Sequence, residues 1–542
     1  MKIKNIKKLL LIVPVLALAA CHADLDQTPI DPDSFTETNV FADVDEAKSA
    51  LAKLYASFSL TGQEGPSGDA DISGIDEGTS QYTRMLFSLN ELTTDHAVVG
   101  WGDPGLPNLH AMSWGAGNDF TVGMYFRLAQ EVSFTNSFID KAASLGDGAE
   151  VQAYIAEARF LRAFAYYNLI DLYGSVPLVT EVSTSLPEQN TRKEIFDFVE
   201  QELLEIQDLL KESGANEYGR VDRVASWALL SKLYLNAEVW TGEAKYSESI
   251  TYSNKAINSS YSLNMNDANG SGSAYDELFL ADNDRNGAQN EFIFAINFDG
   301  NQSRTYGGTS FLVHASIGGD IMDASEFGVN GGWAGLRTTK ALVNKFDESV
   351  TARDDDGNPI EWTDARAMFF TDGQQFEINT IANTFTDGYA VTKFKNVDSN
   401  GDAGVDSGGN FVDTDLPLIR LAEIYLNYAE AVVRGGAGGD VSTATTYINK
   451  LHERAYGDDS GNISAGDLTL EFVEDERSRE LYWEGQRRTD LIRFNHFTTA
   501  NYLWPFKGGA KNGTSVDSYR NLFPLPSNII SINPNLTQNT GY

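Results

Sequence analysis

The stretch AEARFLRAFAYYNLIDLYGSVPLV, residues 156–179, decides the fold class. Read from Tyr154, its residues Ala158, Leu161, Ala165, Leu169 and Leu172 recur at steps of three and four. That spacing lays an apolar stripe along one face of an amphipathic helix. Gly174 and Pro177 then stop it, the one by tolerating left-handed backbone, the other by lacking an amide hydrogen. The small residues Ala158, Ala163 and Ala165 let a neighbouring helix approach closely. Partner helices are predicted over 192–210, 221–237 and 246–257, the second again with small residues, Ala225 and Ala228.

Working outward, a first helix is predicted over 43–58, where Ala47, Ala50, Leu51 and Leu54 share a face, and a second over 125–144. Past the middle of the chain, Leu418, Leu421, Tyr425, Tyr428 and Val432 resume the three-four repeat, followed by helices over 443–455 and 470–494. The intervening 261–415 is rich in Gly, Asn, Asp and aromatics, with a strand-like run at 292–298. Residues 62–78 and 100–117 read as loop, and 521–542 as turns around Pro524, Pro526 and Pro534. The fold class is therefore mostly α, a tetratricopeptide-like scaffold of helical pairs with a large mixed loop and short-strand region inserted. No clean repeat of about 34 residues is visible, so a generic stack of helical pairs stays open.

Composition narrows the function. Against 40 Lys+Arg stand 77 Asp+Glu, a net charge of −37 on 542 residues. Such a chain has no basic excess to displace phosphate counterions, so no nucleic-acid partner is expected. Neutral ligands remain, and 23 Tyr and 8 Trp supply flat apolar faces for them. The single cysteine permits no internal disulfide. It is Cys21, preceded by Lys2, Lys4, Lys7 and Lys8, a short apolar run over 9–20 and the small residues Ala19 and Ala20. Residues 1–20 read as a secretory signal of the bacterial lipoprotein type, with the lipid on Cys21 and 21–40 as a tether.

Catalytic patterns are missing. Glycosidases set two carboxylates on opposite sides of a bond, roughly 5 to 10 Å apart. Glu480 and Glu484 lie one turn apart on one predicted helix face among Arg477, Arg479, Arg487 and Arg488, which reads as an ion-paired helix surface. No G-x-S-x-G elbow or Walker A motif occurs, and the six histidines show no metal-ligand spacing. Asp282-x-Asp284-x-Asn286-Gly287 begins like a calcium loop but lacks the bidentate glutamate, and Asp398-x-Asn400-x-Asp402 has Ala403 where the turn glycine belongs. Solvated Asx turns are the other reading of both.

Four segments carry a family likeness: residues 156–179, LPLIRLAEIYLNYAEAVVR at 416–434, ERSRELYWEGQRRTDLIRF at 476–494 and FPLPSNIISINPNLTQNTGY at 523–542. In that order they closely resemble the signature helices and terminus of the SusD/RagB family of outer-membrane nutrient-binding lipoproteins of Bacteroidetes. The resemblance covers the chain after Cys21. It implies a single domain over 41–542, with a scaffold near 41–60, 119–260 and 416–500 and a variable binding region near 61–118, 261–415 and 501–520. It also implies a SusC-like TonB-dependent transporter as partner. Residues 218–246 and 502–521, with 281–284 and 305–313, look more narrowly like the starch-binding branch.

In that branch an arc of aromatic rings follows an α-glucan helix, and matching motifs put the arc here on Trp101, Tyr306 and Trp333. Arg84 matches a hydroxyl-binding arginine, and Asp76 the same rim. Gly102-Asp103-Pro104 stands where the pattern has an amide-bearing run, leaving Asp103 to accept a sugar hydroxyl. The likeness further implies a structural calcium on Asp284 and Asp415, with no cofactor required. Taken together, these expectations describe a lipid-anchored, outward-facing binder of starch or maltooligosaccharide at the outer membrane. A different glycan on the same scaffold, such as a β-glucan, is the alternative. An all-α glycan-cleaving enzyme is the remote one. Trp227, Trp240 and Trp483, on predicted helices, are expected to be structural.

Overall fold

Short polar side chains write the helix starts. Asp43 accepts from the amides of Asp45 and Glu46 and opens α1, Val44–Ser59, and Gln81 accepts from Arg84 N at the start of α2, Tyr82–Asn90. Asn118 opens α3, Asp119–Ala142, six residues before the predicted start. Thr191 and Glu194 cap each other's backbone at α5, Arg192–Ile206, after α4, Ala149–Leu172. Each cap satisfies amides that the first helical turn leaves without partners.

The computed structural model describes residues 40–542 except 64, 67–69, 319–320 and 383. The signal, Cys21 and the tether up to residue 39 lie outside the described residues. Helix α3 packs on α4, α4 on α5, α5 on α6 (Arg223–Leu235), and α6 on α7 (Tyr246–Ile257). The chain then leaves the helices for a long excursion that includes α8, Gly308–Ala315. It returns as α9 (Leu421–Val433), which packs on α7, α10 (Val441–Tyr456) and α11 (Leu470–Leu481). The short helix α12, Arg487–Arg493, follows. The architecture is the tetratricopeptide-like stack expected. Ala156, Ala158, Ala163 and Ala165 are fully buried at its centre, and α4 is buried on nearly every side rather than on one face. Small residues there let α1, α3 and α5 close around it.

Strands serve as clasps. Val98–Val99 (β1) pairs antiparallel with Leu336–Arg337 (β3). Phe292–Ile296 (β2) pairs with Leu416–Arg420 (β4), every residue of both buried. Leu418, read as the start of a helix, therefore lies in a strand, and the helix begins at Leu421.

Two further expectations are corrected. The continuous helix predicted over 470–494 breaks after Leu481, where Trp483 takes φ +66° and Gly485 φ +75°. Glu480 and Glu484 do not form an ion-paired surface with their local arginines. They are buried, and Glu480 meets Arg420 at 2.5 Å, Arg366 at 3.1 Å and Arg454. Glu484 meets Lys393 and Arg420 at 2.7 Å each. Burial alone would push the Glu480 carboxyl up, but Arg454, Arg420 and Arg366 together hold it at about 2. Trp240 and Trp483 are buried, and the half-buried Trp227 donates its Nε1 hydrogen to Gln207. Among the described residues no helix is long and apolar enough to cross a membrane.

Candidate functional site

The β1–β3 clasp continues one step as Gly100 N donates to Gly335 O at 3.0 Å, which delivers Trp101 to the surface beside residues 331–335. Gly335 has to be glycine, since a Cβ there would stand 2.4 Å from the Trp101 ring. The opposing segment is itself pinned to the end of α8. Trp333 N donates to His314 O at 2.7 Å, Ala334 N to Ile317 O at 2.8 Å and Gly335 N to Ala315 O at 2.9 Å. Tyr306 stands just before α8, where Gln81 fixes the chain. The Gln81 Oε1 accepts from both Arg84 N and Gly308 N, while its Nε2 donates to Phe58 O and Ser59 O. One buried amide thus joins α1, α2 and α8.

The three candidate rings form a row. Trp101 and Trp333 have centroids 6.5 Å apart, Trp333 and Tyr306 likewise 6.5 Å, with tilts of 48° and 51°. All three are half-buried. Trp101 donates its Nε1 hydrogen to Trp333 O at 3.2 Å, so neighbouring platform members are bonded to each other. Behind the row, His314 stacks on Trp333, Phe311 meets Trp101 edge-on and Phe411 packs on Tyr306. The rings therefore turn along the length of the row, with aromatic backing behind each of them.

Arg84 rises from α2 at the Trp101 end. Its guanidinium lies 5.5 Å from the Trp101 centroid and 4.6 Å from that of Phe311. Burial draws its pKa down to about 10, opposed by the charges of Asp103 and then Asp76. Among the described residues it donates no hydrogen bond from its side chain, and its Nε is buried without a partner. A desolvated, unpaired donor is costly unless a ligand satisfies it. Asp103 and Asp76 are exposed. The Asp76 Oδ1 accepts from Thr79 N at 3.1 Å, and a Cβ on neighbouring Gly78 would lie 3.2 Å from Tyr306 Cβ. The six residues Trp101, Tyr306, Trp333, Arg84, Asp76 and Asp103 thus share one neighbourhood. Sequence reasoning missed Phe311, His314, Phe411 and Gln81. The signal for two of them was Phe311 and His314, three apart on the unrecognised helix α8.

The suggested calcium residues are close enough for the charge of Asp284 to act on Asp415. Asp415 is buried; its Oδ1 accepts from Phe298 N at 2.7 Å and its Oδ2 from the Tyr218 hydroxyl at 2.8 Å. Burial pushes its carboxyl up to about 7 against those two bonds, and the negative Asp284 and Asp413 add to the rise. Asp284 pairs with Arg285 at 2.8 Å. Among the described residues no three His, Cys, Asp or Glu side chains are grouped to hold a metal, so a cation between Asp284 and Asp415 needs backbone carbonyls or water. The stretch Asp398–Asp402 is an Asx turn, in which Asp398 Oδ1 accepts from Asn400 N and Asp402 N.

The scaffold presents a ligand with flat faces and a donor, while the paired carboxylates Glu480 and Glu484 are buried against Arg366, Arg420, Arg454 and Lys393; these are the features of a binding protein. Two family profiles match it, the SusD family over residues 290–542 and "Starch-binding associating with outer membrane" over 110–235. Over the full length of both chains it is 37% identical to the starch-binding protein SusD of Bacteroides thetaiotaomicron. It is 23% identical to the SusD-like protein P25 of Formosa agariphila, again over both whole chains. Among solved structures, a SusD-like protein of Bacteroides fragilis superposes with TM-score 0.68 at 20% identity, covering 95% of this chain and 100% of that one. The surface glycan-binding protein A of Bacteroides fluxus gives 0.67 at 20%, covering 92% and 99%. The chain belongs to the SusD family.

Proposed function

We propose that the protein captures a neutral glycan, an α-glucan such as starch or a maltooligosaccharide, on the row Trp101, Trp333 and Tyr306. The observation that carries this is the row itself, three linked rings ending at a buried arginine whose side chain donates to no acceptor among the described residues. Aromatic faces stack on sugar C–H groups, and Arg84 with Asp103 and Asp76 addresses hydroxyls at the edge. The starch-binding relative at 37% identity supports the α-glucan choice. The replaced motif at Gly102-Asp103-Pro104 favours a second reading, a different nutrient glycan on the same row. Affinity for amylose, pullulan and laminarin separates the two. Binding to laminarin alone sinks the α-glucan assignment.

The setting is proposed with it. A lipid on Cys21 anchors the chain to the outer membrane facing outward, and a SusC-like TonB-dependent transporter takes the captured glycan inward. A calcium ion between Asp284 and Asp415 is part of the same reading, since a cation there offsets the burial, and the lesser repulsion from Asp284, that raise the Asp415 carboxyl. Calcium is then expected to raise Tm over an EDTA-treated sample, and the gain shrinks as pH falls below about 7 and Asp415 takes up a proton. Identical melting with and without calcium at pH 8 removes the ion.

A further inference from the structure

His314 sits beneath Trp333 at the C-terminal end of α8. The two rings are 4.7 Å apart and 12° from parallel, and His314 is 1% exposed. Its Nδ1 lies 2.6 Å from the carbonyl oxygen of Gly331, and its Nε2 3.0 Å from that of Asn410. Its own carbonyl accepts from Trp333 N. One residue thus grips the 331–333 segment by ring and backbone and reaches the 406–411 loop, whose Phe411 packs on Tyr306 at 5.1 Å.

Both ring nitrogens face acceptors. A neutral imidazole has one N–H and one lone pair, so it donates to Gly331 or to Asn410 but not to both. The other nitrogen then turns its lone pair toward a carbonyl oxygen. Only the imidazolium satisfies both contacts. Building on the glycan platform argued above, we propose that His314 is a positioning residue for Trp333, whose protonation closes the second hydrogen bond, ties the 331–333 segment to the 406–411 loop and tightens glycan binding.

Burial draws the His314 pKa below the ordinary histidine value, and the two carbonyls oppose that pull. The imidazolium therefore forms on the acidic side of about 6.5. The charged groups on the surrounding elements are few. Arg84 lies across Phe311, and Arg304 stands 5.7 Å over Phe411. Asp406 is engaged by the amides of Gly408, Asn410 and Phe411, and Asp413 by those of Gly300 and Val405. None of them contacts the imidazole. Because a bound glycan favours the tied loop, it raises the proton affinity of His314 by the factor that protonation raises glycan affinity.

The test uses maltoheptaose and the mature protein between pH 7.5 and 4.5, with His314→Gln and His314→Phe alongside. Wild-type affinity is expected to rise several-fold on acidification, while both variants give flat profiles. His314→Phe, which keeps a ring under Trp333 but no donor, is expected to bind about tenfold more weakly at acid pH, the loss of roughly one hydrogen bond. Without glycan, wild-type tryptophan fluorescence is expected to change with pH as an imidazolium forms against the indole. Trp333→Phe and His314→Gln should lack that change. Parallel pH profiles in wild type and His314→Gln, or the same fluorescence titration in Trp333→Phe, overturn the proposal. Should the His314 variants fold poorly, the wild-type profile and Trp333→Phe still decide. A wild type that binds no glycan at any pH defeats the platform reading, and the fluorescence titration then judges the His314 clamp by itself.

Discussion

Trp101 does two things at once: it offers a face to ligand, and through Nε1 it holds the carbonyl of Trp333. Substituting either ring removes a stacking surface, a loss on the order of 1–3 kcal/mol by analogy with base–aromatic stacking. Trp101→Ala also removes one of the bonds that hold the Trp333 segment. The pair is therefore expected to be non-additive, with Trp101→Ala/Trp333→Ala weaker than wild type by less than the summed single losses. Calorimetric titration of the four proteins with maltooligosaccharide checks this, and strict additivity would separate the rings. The rings themselves were legible because glycine-rich flanks such as NGGWAG build no core around a tryptophan. Their backing was not. Phe311 and His314 lie in a helix of only eight residues, too short for its periodicity to stand out from the surrounding turns. Nor does a sequence reveal that Arg84, on a helix whose every residue is buried, finds no acceptor among the described residues.

Among the elements, α11 and the break that follows carry the densest electrostatics. Glu480 accepts from Arg420 and Arg454 on one oxygen and from Arg366 on the other, all four side chains being at most 1% exposed. Removing one partner from such a cluster strands the charges that remain, at a cost of about 3–5 kcal/mol. Glu480→Gln is therefore expected to lower stability by about that much at pH 7. The sign of the pH effect follows from the depressed carboxyl. Its contribution is fully present above the ordinary value of 4.5 and is lost as pH falls through about 2. Denaturation followed from pH 7 to 2 should show wild type and Glu480→Gln converging at the acid end, and a constant gap would disprove the assignment. Sequence periodicity could not find this break. Tyr482-Trp483-Glu484 continues a helical pattern, and the left-handed backbone at Trp483 is imposed from outside. Its Nε1 donates to His96 O, and Gly485 N donates to Glu91 Oε1. Helices α1 and α7 came out within a residue of expectation, and α5, whose capping box lies in the local sequence, starts at Arg192 as predicted.

For the whole molecule, the proposed function assigns inward transport to a separate SusC-like transporter. Protease added to intact cells is expected to degrade the protein, and native purification is expected to bring a large β-barrel with it. Resistance on whole cells together with solitary purification would refute the outward-facing partnership. Charge and composition pointed to a neutral ligand, and the family motifs to the fold. Which strands would meet was hidden, since β2 and β4 lie more than a hundred residues apart and pairing at that range leaves no local mark.

That pairing has a consequence for how the chain tolerates change. The segment carrying Tyr306 and Trp333 leaves the helices at β2 and rejoins them at β4, and the two ends are held side by side by their own ladder. Such a segment behaves like a closed purse with a fixed drawstring. Residues added to its exposed loops enter the folding free energy only through a slowly rising logarithm, about 0.6 kcal/mol per doubling of a loop. Residues added to or cut from its interior loops leave the path from β4 into α9 where it was. Ligand preference is thereby decoupled from the registry of the helices, and one scaffold is free to display surfaces of quite different reach.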